Sequence, residues 1–330
     1  MLGGLLALLS AVTFAYSNAT VRRGVLTGTV FQAVTISVVV GVPLFAAAVL
    51  IGGGLAPLLD LSASSLGLLA TAGVIHFGAS RYCNYRATQA MGTNLVAPTQ
   101  QLSMVITLVL AVVWLNEAIT PLRLIGIVLV VAGPALTLGS NGGKRGASPK
   151  DASSGNAIVF KPNYKEGYAF ALLSTVGFGT SPILIRLALR ADGIAAGLAG
   201  GLVSYAAAAA VVIALALLPA QRRDLTRVDA GTAKWFAISG IAVCLSQMFR
   251  YMALAIAPVS VVSPIQRLSL IFRFYFSHLL NRDHELFGGR VILGTVISLI
   301  GAIALTVSVS HGANQLPGLA WLYQPLPWHW

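Results

Sequence analysis

Ten stretches of this sequence are long and apolar enough to cross a membrane as a helix. A membrane-spanning helix needs about 20 mostly apolar residues. Such runs are predicted at residues 2–20, 28–53, 64–82, 94–115, 121–139, 168–188, 193–218, 233–254, 259–280 and 289–309. The chain is 57% hydrophobic and 9% charged, whereas soluble domains carry about 25% charged residues. Because so few polar side chains cannot cover a water-facing surface, we predict an all-α integral membrane protein, multi-pass in the cell (plasma or inner) membrane.

A polar segment divides these runs into two sets of five. Residues 140–166 are rich in Gly, Ser and Lys, which is typical of a solvated linker. We therefore predict a first five-helix unit at 1–139, the linker at 140–166 and a second five-helix unit at 167–310. The tail at 311–330 combines aromatic residues with prolines, a composition that fits either the lipid headgroup region or a disordered segment.

The two units repeat each other in sequence. Arg22 matches Arg186 at the same offset as the residues of the first run around it. Further along the chain, four pairs match in one register: Tyr85 and Tyr251, Pro98 and Pro264, Gln100 and Gln266, and Glu117 and Asp283. After a two-residue insertion, Gly126 and Gly133 correspond to Gly294 and Gly301. Chance matches of Leu or Ala are common in apolar sequences, but matches of Pro, Gln and Tyr in one register are not. The sequence therefore predicts a duplicated architecture.

An odd number of helices in each unit has a topological consequence. The second unit must enter the membrane in the opposite sense to the first, which predicts two inverted five-helix repeats, about ten transmembrane helices in all. Such repeats allow two packings of similar energy, each open to a different side of the membrane. This is the structural basis of alternating access.

Short motifs lie at the end of the first unit: Ala97-Pro98, the sequence LNEAITP at residues 115–121, and the segment from Gly126 to Gly133. They resemble the repeat signature of the EamA family, which belongs to the drug/metabolite transporter superfamily. The second unit carries a more divergent version, and the resemblance covers residues 2–309. It implies a ten-helix permease or exporter of small metabolites that has no bound cofactor and is not an enzyme.

The net charge of +12 does not indicate a nucleic-acid partner, because the basic residues flank the apolar runs and fit contact with membrane lipid. Their distribution predicts both termini outside the cell, whereas relatives in the superfamily usually have both inside. All nine acidic residues fall in predicted loops or at helix ends: Asp60, Glu117, Asp151, Glu166, Asp192, Asp224, Asp229, Asp283 and Glu285. Related small multidrug pumps use a Glu in their first helix to bind cations. Cation export by a membrane carboxylate is therefore disfavoured.

Basic side chains, by contrast, lie within the predicted spans. Arg267 and Arg273 fall near the middle of the ninth run, and His76 falls in the third. Burying an Arg in a membrane costs at least about 2.5 kcal/mol, so each should face a cavity or a partner. The functional hypothesis is an anion site, because guanidinium groups match carboxylate and phosphate geometry. The alternatives for the arginines are that they satisfy backbone carbonyls or reach an interface. For His76 the functional hypothesis is a group that titrates and carries a proton, and the alternative is a hydrogen-bonded structural residue.

Two prolines and their neighbours predict a polar spot at membrane depth. Pro98 and Pro264 each remove a backbone hydrogen bond and should kink their helices. The neighbouring amides are Gln100, Gln101 and Gln266, which suit either substrate contact or helix-to-helix hydrogen bonds. Tyr85 and Tyr251 suit either a cavity wall or an interface anchor.

Gly193, Gly197 and Gly201 recur every four residues in the seventh run, a pattern that favours close helix packing or a sliding surface. The chain contains no Walker loop, dinucleotide fingerprint or metal-ligand cluster, so neither a metal nor ATP-driven pumping is predicted.

Together these features predict a secondary transporter of a small polar metabolite by alternating access, with an anion as the specific hypothesis and a monomer or homodimer as the assembly. Two alternatives stay open. One is an intramembrane lipid-modifying enzyme, which would require a pair such as His76 beside a serine. The other is a non-transporting membrane subunit.

Overall fold

The computed structural model describes residues 2–115, 120–138, 161–189, 193–256, 265–285 and 288–309, and within these ranges the chain is helical without strands. In the first half the α-helices are α1 (Leu2–Gly24), α2 (Val30–Ile51), α3 (Leu55–Leu59), α4 (Ala63–Gly73), α5 (Arg81–Met91), α6 (Thr93–Gln100), α7 (Leu102–Leu115) and α8 (Pro121–Leu138). In the second half they are α9 (Tyr164–Ala188), α10 (Gly193–Ala216), α11 (Pro219–Thr226), α12 (Ala230–Ile256), α13 (Ser269–Asn281) and α14 (Gly289–Val309). A π-helix, Val74–Ser80, joins α4 to α5.

Six helical segments of the described chain are long and apolar enough to span a membrane. They are Leu2–Gly24, Val30–Ile51, Ala63–Met91, Tyr164–Ile185, Gly193–Ala216 and Ala230–Ala253. Two shorter apolar stretches, Pro121–Gly133 and Gly289–Ala304, lie within α8 and α14. The protein is thus a multi-pass helical membrane protein, as its composition predicts.

Two predicted spans differ in the structure. The third, predicted at 64–82, is one continuous helical run, Ala63–Met91, because the polar segment after Arg81 stays helical. The fourth, predicted at 94–115, is divided into α6 and α7 at Gln101, whose N–H bonds to Pro98 O at 3.1 Å. The helix therefore breaks just after the proline. Pro264, the corresponding residue, lies outside the described residues, as do most of the predicted linker and all of the tail.

Helix packing follows the sequence repeat. By the register above, α1 corresponds to α9, α2 to α10, the run α4–α5 to α12, α7 to α13 and α8 to α14. The helix α1 packs on α12 and α13, while α9 packs on α4, α5 and α7. In the same way α2 packs on α12 and α10 on α4, and the pairs α2–α10 and α8–α14 join counterparts directly. Each contact thus has a partner under exchange of the two halves.

Tyr205 of α10 is the centre of the main apolar core. Its ring lies 4.9 Å from that of Phe45 and 4.1 Å from that of Phe77, and it is fully buried. The ring fits because Gly41 on α2 has no side chain at the point of contact. The rigid aromatic cluster fixes the π-helix against α2 and α10.

The matched glycines lie at the interface between α8 and α14. A Cβ atom on Gly133 would lie 2.5 Å from Gly294 O, and one on Gly301 would lie 2.8 Å from Gly126 O. The two contacts exchange under the repeat, so the glycines allow the two helices to approach each other closely.

We expect Gly133→Ala to lower the free energy of unfolding by about 1–3 kcal/mol, because the added methyl group overpacks this interface. Thermal unfolding of the purified protein in detergent measures the change. The matched control is Gly67→Ala on α4, where nothing lies within 4 Å of the added Cβ and a helical alanine should be neutral or stabilising. Equal melting temperatures for the two variants would contradict the packing role.

Candidate functional site

The π-helix places His76 at the centre of the molecule. Its ring contacts those of Phe77 and Phe178, each at 4.8 Å between centroids. Its Nδ1 atom lies 2.6 Å from Ser181 Oγ on α9. Single π-turns within α-helices are often found at functional sites, because they re-aim side chains. His76 thereby joins the two halves of the protein.

Two small cavities meet at His76. The first, of about 40 Å³, is lined by His76, Phe77, Pro182, Ile185, Gln247, Arg250 and Tyr251. The second, of about 20 Å³, is lined by Phe14, Ser17, Asn18, His76, Arg81, Asn84, Tyr85, Phe178, Val243 and Gln247. Since a water molecule needs about 10–15 Å³ by this measure, each holds only a few waters. His76 and Gln247 belong to both, so the cavities form one polar centre between α1, the π-helix, α5, α9 and α12.

Arg81 is held rigidly in the wall of the second cavity. Its Nη2 atom donates to Tyr205 Oη at 2.9 Å and its Nη1 atom to Ser37 Oγ at 3.4 Å. The guanidinium carbon lies 4.9 Å from the centroid of the Phe77 ring. All of these partners are neutral, so the positive charge of Arg81 is not cancelled by them.

Arg250 supplies a second positive charge. It lines the first cavity, and within the described residues no hydrogen bond or carboxylate partner holds its guanidinium group. Among the residues that the structure describes, the ion pairs are Arg22–Glu285 and Arg86–Glu166. Neither pair lines the cavities. Described acidic residues occur only in loops, in short helices or in the first turn of α9. The lining of the cavities is therefore positively charged.

Several residues predicted for the site lie at or beside the cavities. His76 and Tyr85 line the second cavity, and His76 and Tyr251 line the first. Gln100 is buried and donates through Nε2 to Asn84 Oδ1, so it supports a residue of the wall without lining it.

The other predicted polar residues connect helices. Gln101 Oε1 accepts from Arg267 Nη1 at 3.2 Å, and Gln266 Nε2 donates to Ser10 Oγ at 3.2 Å. Neither Arg267 nor Gln266 lines the two cavities. Arg267 does carry a like charge that acts electrostatically with Arg250, which adds to the positive potential on this side.

Arg273 differs from its predicted position near the site. Its side chain is 1% exposed, and its guanidinium carbon lies 5.7 Å from the centroid of the Phe14 ring. It is thus separated from the second cavity by Phe14.

The glycines of α10 have three different surroundings. A Cβ on Gly201 would overlap the Phe45 ring, and one on Gly197 would make an ordinary 3.5 Å contact with Tyr251 O. Gly193 starts the helix at φ +91° with open space around it, so its role is conformational and differs from the predicted close packing.

A buried ion pair closes the end of the molecule where α1 ends. Arg22 Nε lies 3.5 Å from Glu285 Oε1, with both side chains fully buried. Arg22 also donates to Thr88 O at 2.8 Å, Gln89 O at 3.0 Å and His284 O at 2.8 Å. It therefore connects α1 with the carboxyl end of α5 and with the loop that precedes α14.

Glu285 completes this closure from the other side. Its Oε1 atom accepts from Thr93 N at 2.6 Å and its Oε2 atom from Asn94 N at 3.0 Å. The carboxylate thus caps the positive end of the α6 dipole. Gly92, at φ +86°, leaves room for it, because a Cβ there would lie 2.7 Å from Glu285 Oε2. Burial raises the pKa of the Glu285 carboxyl, and the Arg22 charge and both N–H donors oppose that rise.

Sequence reasoning missed the two arginines of the cavities. Arg81 falls at the end of the span predicted at 64–82, and Arg250 falls near the end of the span predicted at 233–254. The repeat register contains a usable signal, since Arg81 corresponds to Gln247 and Asn84 to Arg250. Both pairs line the cavities, so each half contributes one guanidinium and one amide from these matched positions, and Asn18 adds a further amide from the first half.

Known proteins resemble this chain in sequence and in fold. A sequence model of the EamA-like transporter family matches residues 1–139, which confirms the resemblance drawn from the motifs of the first unit. Among curated proteins, none matches the chain. A solved structure described only as "Crystal structure of protein" superposes with a TM-score of 0.54 at 14% identity, covering 92% of this chain and 96% of that one. At this identity the likeness concerns the fold alone.

Proposed function

We propose that this protein, whose residues 1–139 belong to the EamA-like transporter family, is a secondary transporter of a small polar anion. It works by alternating access in the cell membrane, with ten helices arranged as two inverted repeats. The single observation that carries the proposal is the pair of guanidinium groups, Arg81 and Arg250, at cavities without an acidic residue among their lining residues.

The charge of the lining selects the substrate class. A buried positive charge without a counterion is unfavourable, and an anionic ligand removes that cost by pairing with it. Guanidinium groups bind carboxylate, sulfate or phosphate groups through two parallel hydrogen bonds. Gln247, Asn84 and Asn18 add neutral amides for the remaining polar atoms of the ligand. A cation would meet like charges here and is disfavoured.

The small volume of the cavities argues for a conformational change. Spaces of about 40 and 20 Å³ admit a few waters but no metabolite, so the described conformation is closed around the site. The exchange of helix contacts between the two halves supports a second packing of similar energy, with the roles of the halves reversed.

The Arg22–Glu285 pair is suited to be the gate on its side. It connects α1, α5 and α6 with the loop before α14, so these elements separate only if the pair breaks. By the register of Glu117 and Asp283, the counterpart of Glu285 in the first half is Ile119. The second half thus has an acidic gate residue at this position, whereas the first half has an isoleucine.

The close approach of His76 to Ser181 also bears on the enzyme alternative, because a serine–histidine pair can form a nucleophile. Here Ser181 is fully buried, and the charged residues near His76 are arginines instead of a carboxylate that would orient the imidazole as a base. Members of the matched family are transporters. The pair therefore fits proton or substrate handling better than hydrolysis.

Ligand-induced thermal stabilisation of the purified protein tests the proposal. A panel of small carboxylates, sulfonates, phosphates, amines and neutral polyols is screened in detergent, and the hits are tested for uptake into proteoliposomes. A ligand at 100 times its Kd stabilises by about 2.7 kcal/mol, so at least one anion should raise the melting temperature by several degrees. Stabilisation by amines alone, or by no ligand combined with no uptake, would overturn the anionic function.

A further inference from the structure

The imidazole of His76 is the titratable group that both cavities share. It is 9% exposed, and its Nδ1 atom is occupied by Ser181 Oγ at 2.6 Å. In the tautomer in which Nδ1–H donates to Ser181, the other ring nitrogen, Nε2, has a lone pair that can bind a proton. A group placed in this way senses any change of charge within the cavities.

The neighbours of His76 carry positive charge or none. Arg81 on α5 and Arg250 on α12 both act electrostatically on the imidazole. Two further titratable groups line the cavities with it, the phenols of Tyr85 on α5 and Tyr251 on α12. The phenol of Tyr205 on α10 packs against the neighbouring Phe77 and accepts a hydrogen bond from Arg81. The helices α2, α4 and α10 contain no acidic residue. Glu166, the acid of α9, lies in the first turn of that helix, about four turns from Ser181.

The charge balance of the site depends on whether an anion is present. When no anion is bound, burial opposes a positive charge on the imidazole, and repulsion by the two guanidinium groups opposes it further. An anion bound between the arginines cancels that repulsion and adds an attraction, so a proton becomes favourable on Nε2. By linkage, the protonated imidazole must strengthen anion binding by the same factor.

We propose that His76 binds a proton together with the anion, so that the protein co-transports the two in the same direction. The proton comes from water on the side where the anion enters and returns to water on the side where it leaves. On binding, an O–H bond of a hydronium ion breaks and the Nε2–H bond forms; on release, the Nε2–H bond breaks and the proton returns to a water molecule. This inference rests on the proposed anion site and adds the coupling ion to it.

Proton uptake on ligand binding is the direct test. Sulfate, methanesulfonate and benzenesulfonate serve as probes, because they stay anionic between pH 5.5 and 8 and release no proton of their own in that range. Adding a binding probe to weakly buffered protein near pH 7 should remove up to one proton per chain from solution, read with a pH-indicator dye. The Kd of the same probe should be at least tenfold lower at pH 5.5 than at pH 8.

His76→Asn keeps a partner for Ser181 and removes the titratable ring. It should bind the probe with a pH-independent Kd and take up no proton, while size-exclusion profiles report its folding. Ser181→Ala is a second variant that keeps the imidazole and should retain proton uptake. The matched control is His278→Asn, since His278 lies exposed on α13 and the variant should behave like the parent protein.

The outcomes separate the two proposals. Probe binding without proton uptake, or unchanged pH dependence in His76→Asn, overturns the coupling and leaves the anion transporter standing. Binding of none of these probes, together with no anionic hit in the panel, overturns the anion site and the coupling with it.

Discussion

Arg250→Gln is expected to weaken anion binding strongly while leaving the protein folded. Hydrogen bonds to a charged group contribute about 1.5–3 kcal/mol each, so losing the guanidinium should weaken the Kd of the best anion by about 10- to 100-fold. Isothermal titration and uptake into proteoliposomes measure the loss. Because no described residue holds the Arg250 guanidinium, its removal leaves no described hydrogen-bond donor or acceptor unpaired.

Arg250→Gln should also change the stability of the protein when no anion is bound. Arg250 acts electrostatically on the like charge of Arg267, so its removal relieves repulsion. The melting temperature without ligand should therefore be equal to that of the parent or higher. Arg81→Gln would be a poorer test, because it also breaks the hydrogen bonds to Tyr205 and Ser37.

The control for Arg250→Gln removes one positive charge elsewhere. Arg223→Gln lies on the exposed helix α11 and should leave anion affinity within about twofold, since surface charges are screened over about 8–10 Å. If Arg250→Gln bound the anion as tightly as Arg223→Gln does, the assignment of Arg250 to the site would be wrong.

Glu285→Gln is expected to open the molecule on the side where α1 ends. The amide cannot neutralise Arg22, and leaving one partner of a buried pair uncompensated costs about 3–5 kcal/mol. In a protein with two packings of similar energy, this cost falls on the closed packing and shifts the population away from it. Water and reagents should then reach the second cavity from this side.

Cysteine labelling measures that shift. The single-cysteine reporter is Asn18→Cys, placed in a background of Cys83→Ala and Cys244→Ala, and it is labelled with a membrane-impermeant maleimide. Asn18 lines the second cavity and is 2% exposed, so labelling of the closed state should be slow. Glu285→Gln should raise the rate at least tenfold.

The control breaks a second ion pair at the same end. Arg86 Nε lies 2.5 Å from Glu166 Oε1, but the two side chains are 41% and 28% exposed. Such exposed pairs contribute only about 0–1 kcal/mol to the free energy of unfolding. Glu166→Gln should therefore change labelling by less than about fivefold. A reporter that is labelled no faster in Glu285→Gln than in Glu166→Gln would rule out the gate.

Much of the architecture could be predicted, because membrane helices are encoded locally. Runs such as 28–53 and 193–218 are apolar throughout and correspond to α2 and α10 within a few residues. The prediction was poorer where polar residues continue a helix, as in Ala63–Met91. There the chain remains helical because Arg81, Asn84 and Thr88 are buried against other helices instead of facing lipid, and local hydropathy does not register such burial.

The candidate site was predicted only in part for the same reason. His76, Tyr85 and Tyr251 were singled out as polar or aromatic residues within apolar runs, and they lie in the cavity walls. Arg273 was singled out on the same grounds and lies behind Phe14 instead. The sequence shows which polar residues fall within apolar runs. The direction in which each side chain points depends on helix rotation and packing.

The amino-acid sequence by itself determined that this chain is a helical membrane protein, since apolar runs are a property of the chain alone, and its matched residues predict a duplication. It also determined the EamA-like character of residues 1–139. Only the tertiary structure decided which charges meet. His76 and Arg81 lie in the helical run Ala63–Met91 and Arg250 lies in α12. They converge because a π-turn and the packing of Tyr205 orient them toward one centre. Arg22 and Glu285, far apart in sequence, form a buried pair only because both halves fold against each other.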